Sequence, residues 1–162
     1  MIDDAEKRLA QRLRDEREQR GWSLGDLAER SGVSKAMLSK IERSEASPTA
    51  ALLGRLSTAF GLTMSQLFAR VEGGGDMVLR VADQPTWRDP ATGFVRRSLS
   101  PPGESPLELV WGEMPPNQEV SYAADAYLFT PDHQIVAVEG QLTVVHGDTV
   151  HELNPGDCLR YR

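Results

Sequence analysis

Leu24-Gly25-Asp26-Leu27-Ala28-Glu29-Arg30-Ser31-Gly32-Val33-Ser34-Lys35-Ala36-Met37-Leu38-Ser39-Lys40-Ile41-Glu42-Arg43 is the stretch on which the fold turns. Its apolar residues recur every three or four positions, the spacing of a helix face, and the run is cut once, at Ser31-Gly32-Val33. Ser23 is the expected N-cap of the helix before the cut, with Asp26 at the capping-box position and Leu24, Leu27 and Ala28 turned inward. Gly32 supplies the positive φ that a helix-ending residue favours. Ser34 caps the next helix, which runs to about Arg43 and buries Met37, Leu38 and Ile41. Its other side is polar.

Working outward, three more helices complete residues 1–70. The first covers about 4–20, turns Leu9 and Leu13 inward and stops at Gly21. A fourth is expected to begin at Ser47-Pro48, with proline in the first turn where no N–H is needed; it carries Leu52, Leu53, Leu56, Ala59 and Phe60 inward and ends at Gly61. Thr63-Met64-Ser65-Gln66 is a capping box for a short fifth helix burying Leu67 and Phe68.

Composition divides the chain at the same place. The 162 residues carry a net charge of −6, which excludes a uniformly basic nucleic-acid coat. Residues 1–70 hold 12 Lys and Arg against 10 Asp and Glu, a net of +2, and residues 71–162 hold 6 against 14, a net of −8. Asymmetry of this kind suggests that one half meets a polyanion. One proline precedes Arg70 and nine follow it. Residues 71–76, centred on Gly73-Gly74-Gly75, form a flexible polar linker between two domains, 1–70 and 77–162. No apolar run is long enough for a membrane helix and the acidic start is unlike a signal peptide. The single cysteine, Cys158, excludes an intrachain disulfide. A cytoplasmic protein is expected.

Residues 9–68 resemble the Cro/CI-type (XRE) helix-turn-helix family, on the strength of Leu24 to Arg43, the Pro48-Thr49 start of helix four and the Phe60-Gly61-Leu62 turn. With Met37, Leu38 and Ile41 inward, the outer face of helix three presents Ser34, Lys35, Ala36, Ser39, Lys40 and Arg43. Such a face fits a DNA major groove, where serine and lysine reach base edges and alanine meets a thymine methyl; the competing reading is a solvated surface. The resemblance implies that Lys35, Ala36, Ser39 and Lys40 read bases. Ser23 is expected to hold a phosphate at the start of helix two, and Arg43 to clamp a second. The resemblance also implies a structural salt bridge between Arg17 and Glu42, with Arg17 near a phosphate as well.

From Met77 onward, short β-prone runs alternate with turns. Strands are expected at 77–82, 94–99, 107–114, 119–122, 126–129, 134–138, 142–146, 149–153 and 158–161, with hairpin turns at Glu139-Gly140 and Gly147-Asp148. The run from Ile135 to Val144, followed by Leu153-Asn154-Pro155-Gly156-Asp157, resembles the cupin family of jelly-roll barrels. That resemblance implies metal ligands at Tyr127, Phe129 and His133, none of which is the residue type required, and at a later histidine for which the chain ends too soon at Arg162. No metal or other cofactor is expected, and the jelly roll is expected to be shortened, leaving a strand edge to be covered. Trp111, Tyr122, Tyr127, Phe129 and His133 are candidate ligand-lining residues, with Val136 and Val138 beside them; core filling is the alternative role. Cys158 is expected to be a buried strand residue.

The expected architecture is therefore α + β in two domains: a five-helix head, then an antiparallel cupin-like jelly roll. The expected function is a non-enzymatic, homodimeric transcriptional regulator that binds a palindrome-like operator in double-stranded DNA and responds to a small-molecule effector. The alternatives are a metal-dependent cupin enzyme with a helix-turn-helix domain, and an antitoxin-like DNA-binding interaction module.

Overall fold

The structure is a computed structural model that describes residues 4–68, 78–101, 105, 107–123, 126 and 132–161. Two compact units divide the chain, residues 1–129 and 130–162. The expected linker, residues 71–76, lies outside the described residues, as do Tyr127 and Phe129.

The first unit begins with five helices, α1 (Asp4–Gln19), α2 (Leu24–Ser31), α3 (Lys35–Glu42), α4 (Ala50–Phe60) and α5 (Met64–Phe68). Each ends where local chemistry stops it. Gly21, Gly32 and Gly61 all have positive φ, and the Gly32 N–H donates to the Ala28 carbonyl at 2.9 Å. Thr63 and Gln66 bond reciprocally at the start of α5, Thr63 N–H to Gln66 Oε1 at 2.8 Å and Gln66 N–H to Thr63 Oγ1 at 3.1 Å. Helix α4 departs from expectation: Thr49, not Ser47, is its N-cap, accepting from the Leu52 N–H, and Pro48 lies ahead of the cap. The threonine hydroxyl satisfies a first-turn donor that proline at that place cannot.

Leu9, Leu13, Leu27, Val33, Leu38, Ile41, Leu53, Leu56 and Leu67 form the buried centre of the five helices. A three-stranded antiparallel sheet shares it. Strands β1 (Thr86–Arg88), β2 (Val95–Ser98) and β3 (Val110–Glu113) pair in the order β1-β2-β3. Trp87 of β1 is buried in the helical core, its ring 6.0 Å from Phe68. Asp89, 2% exposed, accepts from the Ala50 N–H at 3.3 Å and from the Thr92 hydroxyl at 2.6 Å. Its negative charge thus meets the positive end of the α4 dipole. Arg96 donates to Ser65 Oγ at 2.7 Å and to Ser98 Oγ at 3.0 Å, with its guanidinium 5.1 Å from the Phe68 ring centre. Head and sheet are one packed body.

Among the described residues two strand expectations fail in this unit, at 78–82 and 119–122. Val81–Asp83 is a 3-10 turn, closed by Gln84 N–H on the Val81 carbonyl, where a strand over 77–82 was expected. Residues 119–122 are irregular, because Tyr122 lies flat on α4: a Cβ built on Gly54 would stand 3.2 Å from Tyr122 Cδ1 and 3.4 Å from the Ala126 Cβ. Glycine at position 54 lets that segment approach the helix closely. Ala126 sits in a turn, its N–H on the Ala123 carbonyl, and 127–129 fall outside the described residues. Conversely β1 was not expected, since three residues are too few for a period-two signal.

The second unit contains β4 (His133–Val136), β5 (Leu142–His146), β6 (Thr149–Leu153) and β7 (Cys158–Tyr161). The last three match the expected bounds. Strands β5 and β6 form a hairpin, from Leu142↔Leu153 to His146↔Thr149, closed by Gly147 in the left-handed region. Strand β4 pairs with β7, His133↔Tyr161 to Val136↔Cys158. Glu139-Gly140 is therefore not a hairpin turn: it leads from β4 to β5, which belong to different pairs. Cys158 is exposed rather than buried, because the alternation along β7 turns Leu159 and Tyr161 inward and Cys158 and Arg160 outward.

Candidate nucleic-acid interface

Helices α2 and α3 place the polar face. The Ser23 Oγ accepts from the Asp26 N–H at 3.2 Å, and Asp26 Oδ2 accepts from both the N–H and the hydroxyl of Ser23 at 2.7 Å. These bonds hold the Asp26 carboxyl below the usual carboxylate range. The start of α2 therefore already carries an anion, and the Ser23 hydroxyl proton is spent on it. The lowered value fixes the sign of a pH effect. The capping box is intact above the ordinary aspartate value near pH ~3.9 and weakens as acid titrates Asp26 through its lower folded value. Protection factors of the α2 amides should fall in that acid range, and Asp26→Asn should remove the step.

Between the helices, Ser31 donates its hydroxyl to the Leu27 carbonyl at 2.6 Å and accepts from the Val33 N–H. Arg55 of α4 reaches the Gly32 carbonyl at 3.3 Å. Ser34 then caps α3, accepting from the Met37 N–H at 3.2 Å. Leu38 and Ile41 are buried, 2% and 1% exposed, and they set the roll of the helix. Ser34, Lys35, Ala36, Lys40 and Arg43 are consequently exposed and Ser39 is half-buried. Neither Lys35 nor Lys40 has an ion-pair partner among the described residues. Two ammonium groups without a direct ion pair thus lie on one outward helix face, Lys40 within electrostatic reach of Glu45.

Arginine 43 differs. Its Nε and Nη2 donate to the two Glu45 carboxylate oxygens at 2.7 and 2.9 Å, and Nη1 donates to Ser39 Oγ. Glu45 holds the Arg43 value up, and Arg43 in turn holds Glu45 down. Glu45 escaped sequence reading, because the left-handed residue that places it is Ser44 and not a glycine.

Beneath the face, the guanidinium of Arg17 meets Glu42 side-on, Nε to Oε1 and Nη2 to Oε2 both at 2.7 Å, while Nη1 donates to the Trp22 carbonyl at 2.8 Å. The side chains are 12% and 9% exposed. The Glu42 hydrogen bonds raise the Arg17 value. This fork ties α1 to the end of α3. Trp22 stacks on Phe60 at 5.9 Å and receives the Arg30 guanidinium 4.5 Å from its ring centre, further contacts that sequence reading missed.

Of the candidate ligand-lining residues, Trp111 and Tyr122 belong to the first unit and His133 to the second, and Tyr127 and Phe129 lie outside the described residues. Trp111, half-buried on β3, donates to Glu113 Oε1 at 2.9 Å and lies 5.9 Å from the Arg97 guanidinium. Tyr122 packs on Gly54 of α4. His133, in the second unit, faces Tyr161, which also meets His146, at ring distances of 5.3 and 5.2 Å. Val136 and Val138 are 56% and 60% exposed, so neither lines an interior within its unit.

Two short helices joined at a left-handed glycine, with the second turned outward, define a helix-turn-helix. Residues 13–67 match the helix-turn-helix family model. Over 57 residues the chain is 53% identical to the HTH-type transcriptional regulator SutR of Escherichia coli, covering 35% of this chain and 32% of that protein. Over 60 residues it is 35% identical to the HTH-type transcriptional regulator SinR of Bacillus subtilis, covering 36% and 54%. The chain thus spans from about a third to about half the length of these curated relatives. The crystal structure of an HTH_3 family transcriptional regulator from Vibrio cholerae aligns over 96% of this chain and 83% of its own, with a TM-score of 0.71 and 25% identity. The N-terminal region is a helix-turn-helix domain of the XRE family, and its relatives are transcriptional regulators. It is joined to antiparallel strands in a mixed helix-and-sheet chain.

Proposed function

We propose that this chain is a sequence-specific DNA-binding transcriptional regulator without enzymatic activity, working in the cytoplasm. The observation that carries the reading is the outward face of α3, where Lys35 and Lys40 stand without ion-pair partners beside exposed Ser34 and Ala36. Lys35, Ala36, Ser39 and Lys40 read base edges in the major groove, and Ser34 and Ser23 lie at helix starts suited to phosphate. At Ser23 the phosphate is met by backbone N–H groups of the first turn, since the hydroxyl serves Asp26. Arg43 borders the same face.

The chain is proposed to act as a homodimer, which sets two recognition helices one DNA turn apart, about 34 Å, on a palindrome-like operator. Residues 77–162, whose strands β1–β3 pack with the helical head and whose strands β4–β7 form a unit of their own, are proposed to supply a metal-free, cupin-like domain that senses a small-molecule effector. The nested pairing of the second unit, β4 with β7 enclosing β5 with β6, supports a jelly roll, whose strands pair in this nested way. An effector alters DNA affinity only by binding one arrangement of the two heads better than the other. Selection of duplexes from a random-sequence pool by the full chain tests the reading. Recovery of a two-fold sequence with half-sites one turn apart is expected; recovery of no common sequence counts against it.

A further inference from the structure

Glu45 occupies a place that stability alone disfavours. The Glu45 N–H donates to the Lys40 carbonyl at 2.8 Å and the Ser44 N–H to the Ile41 carbonyl at 2.9 Å, the pair of bonds of a Schellman helix end. Ser44 takes the left-handed position at φ +57°, where glycine is usual. This motif fixes Glu45 at the C-terminal end of α3, the negative end of the dipole, where an acidic residue is unfavourable. The carboxylate also stands beside the face that carries Lys35 and Lys40, where it opposes any approaching phosphate. Its partners account for it. Both oxygens of Glu45 hold Arg43, whose remaining nitrogen donates to Ser39 Oγ.

We propose, on the DNA-binding reading above, that Glu45 sets the specificity of the interface by holding Arg43 on Ser39 and away from phosphate. A serine hydroxyl both donates and accepts. With Arg43 occupying one of its two acceptor lone pairs, Ser39 is biased toward donating its proton outward and favours a base-edge acceptor, a guanine O6 or N7, an adenine N7 or a thymine O4, over the amino groups of cytosine and adenine. Arg43 is then a positioning residue. Neutralised by Glu45, it releases no counterion on binding. Some general affinity is given up for discrimination, since Arg43 is withheld from the phosphates of every duplex alike.

The test measures binding of the full chain, over a range of salt concentrations, to a duplex recovered by selection with the unaltered protein and to a duplex of unrelated sequence. Glu45→Gln frees Arg43 for phosphate. It should tighten binding to the unrelated duplex about tenfold, steepen the salt dependence by ~0.9 in the log–log slope, and narrow the preference for the selected duplex. Arg43→Ala combined with Glu45→Gln, which deletes the pair without leaving an unneutralised carboxylate, should leave the slope unchanged while narrowing the same preference, a combination that a merely structural role does not produce. A slope reduced by ~0.9 in that double variant would place Arg43 on a phosphate already and overturn the proposal. So would Glu45→Gln with slope and preference both unaltered. Failure of the unaltered protein to bind any duplex would remove the DNA-binding reading itself, and this proposal with it.

Discussion

Replacing Lys35 and Lys40 together with alanine is expected to weaken DNA binding by about 1–3 kcal/mol for each lysine, or roughly fivefold to 150-fold apiece. The two ammonium groups are the charges on the outward side of α3 that no direct ion pair holds. The salt dependence should flatten as well, by ~0.9 in the log–log slope for each lysine that meets a phosphate. Titration of a selected duplex at several salt concentrations measures both quantities. The fold should be untouched, because both side chains are exposed and the helix is held by Leu38, Ile41 and the Ser34 cap. Unchanged affinity and slope in the double variant would take α3 out of the interface.

The second large effect concerns Arg17. Arg17→Ala leaves the Glu42 carboxylate, 9% exposed on its side chain, without the fork that neutralises it. Removing one partner of a buried pair costs about 3–5 kcal/mol. Against the 5–15 kcal/mol that typically holds a domain together, that is enough to lower the urea midpoint of the helical head severely. Arg17→Lys restores charge but not the two parallel bonds, so it should recover only part of the loss. Arg14→Ala supplies the contrast. Arg14 pairs with Glu18 at 2.8 Å, yet both side chains are about half exposed, and such a surface pair contributes little to stability. Equal losses in Arg14→Ala and Arg17→Ala would show that burial of the Arg17–Glu42 fork contributes nothing.

Much of the head was legible in the residues because its determinants are local. The Ser23-Asp26 and Thr63-Gln66 boxes, the Ser34 cap and the glycines at 21, 32 and 61 each act within a few positions, and all are seen in place. The start of α4 was misplaced by two residues because its cap depends on the conformation of Thr49 and its charge partner, Asp89, lies 39 residues away. Strands β5 to β7 were legible from alternation and turn residues. Strand β1 and the segment 119–122 were not, since Trp87 and Tyr122 are placed by the helices they pack on rather than by a pattern of their own. Pairing of β4 with β7 was likewise invisible, for the nearby Glu139-Gly140 turn suggested a hairpin between neighbours. At the interface, the roll of α3 followed from its apolar positions, which is why the outward residues were identified. The link through Ser39, Arg43 and Glu45 was hidden because it rests on the left-handed turn at Ser44, which no residue in that stretch announces.

The account rests on the outward side of α3 being the surface that meets DNA. A photo-crosslinking side chain at Ala36, exposed near the start of that helix, tests this in the full chain with a selected duplex, against the same group at Val145, 67% exposed in the second unit. The account predicts an efficient crosslink from position 36 to bases within the selected sequence and none from position 145. Bound DNA with no crosslink from position 36 would contradict it.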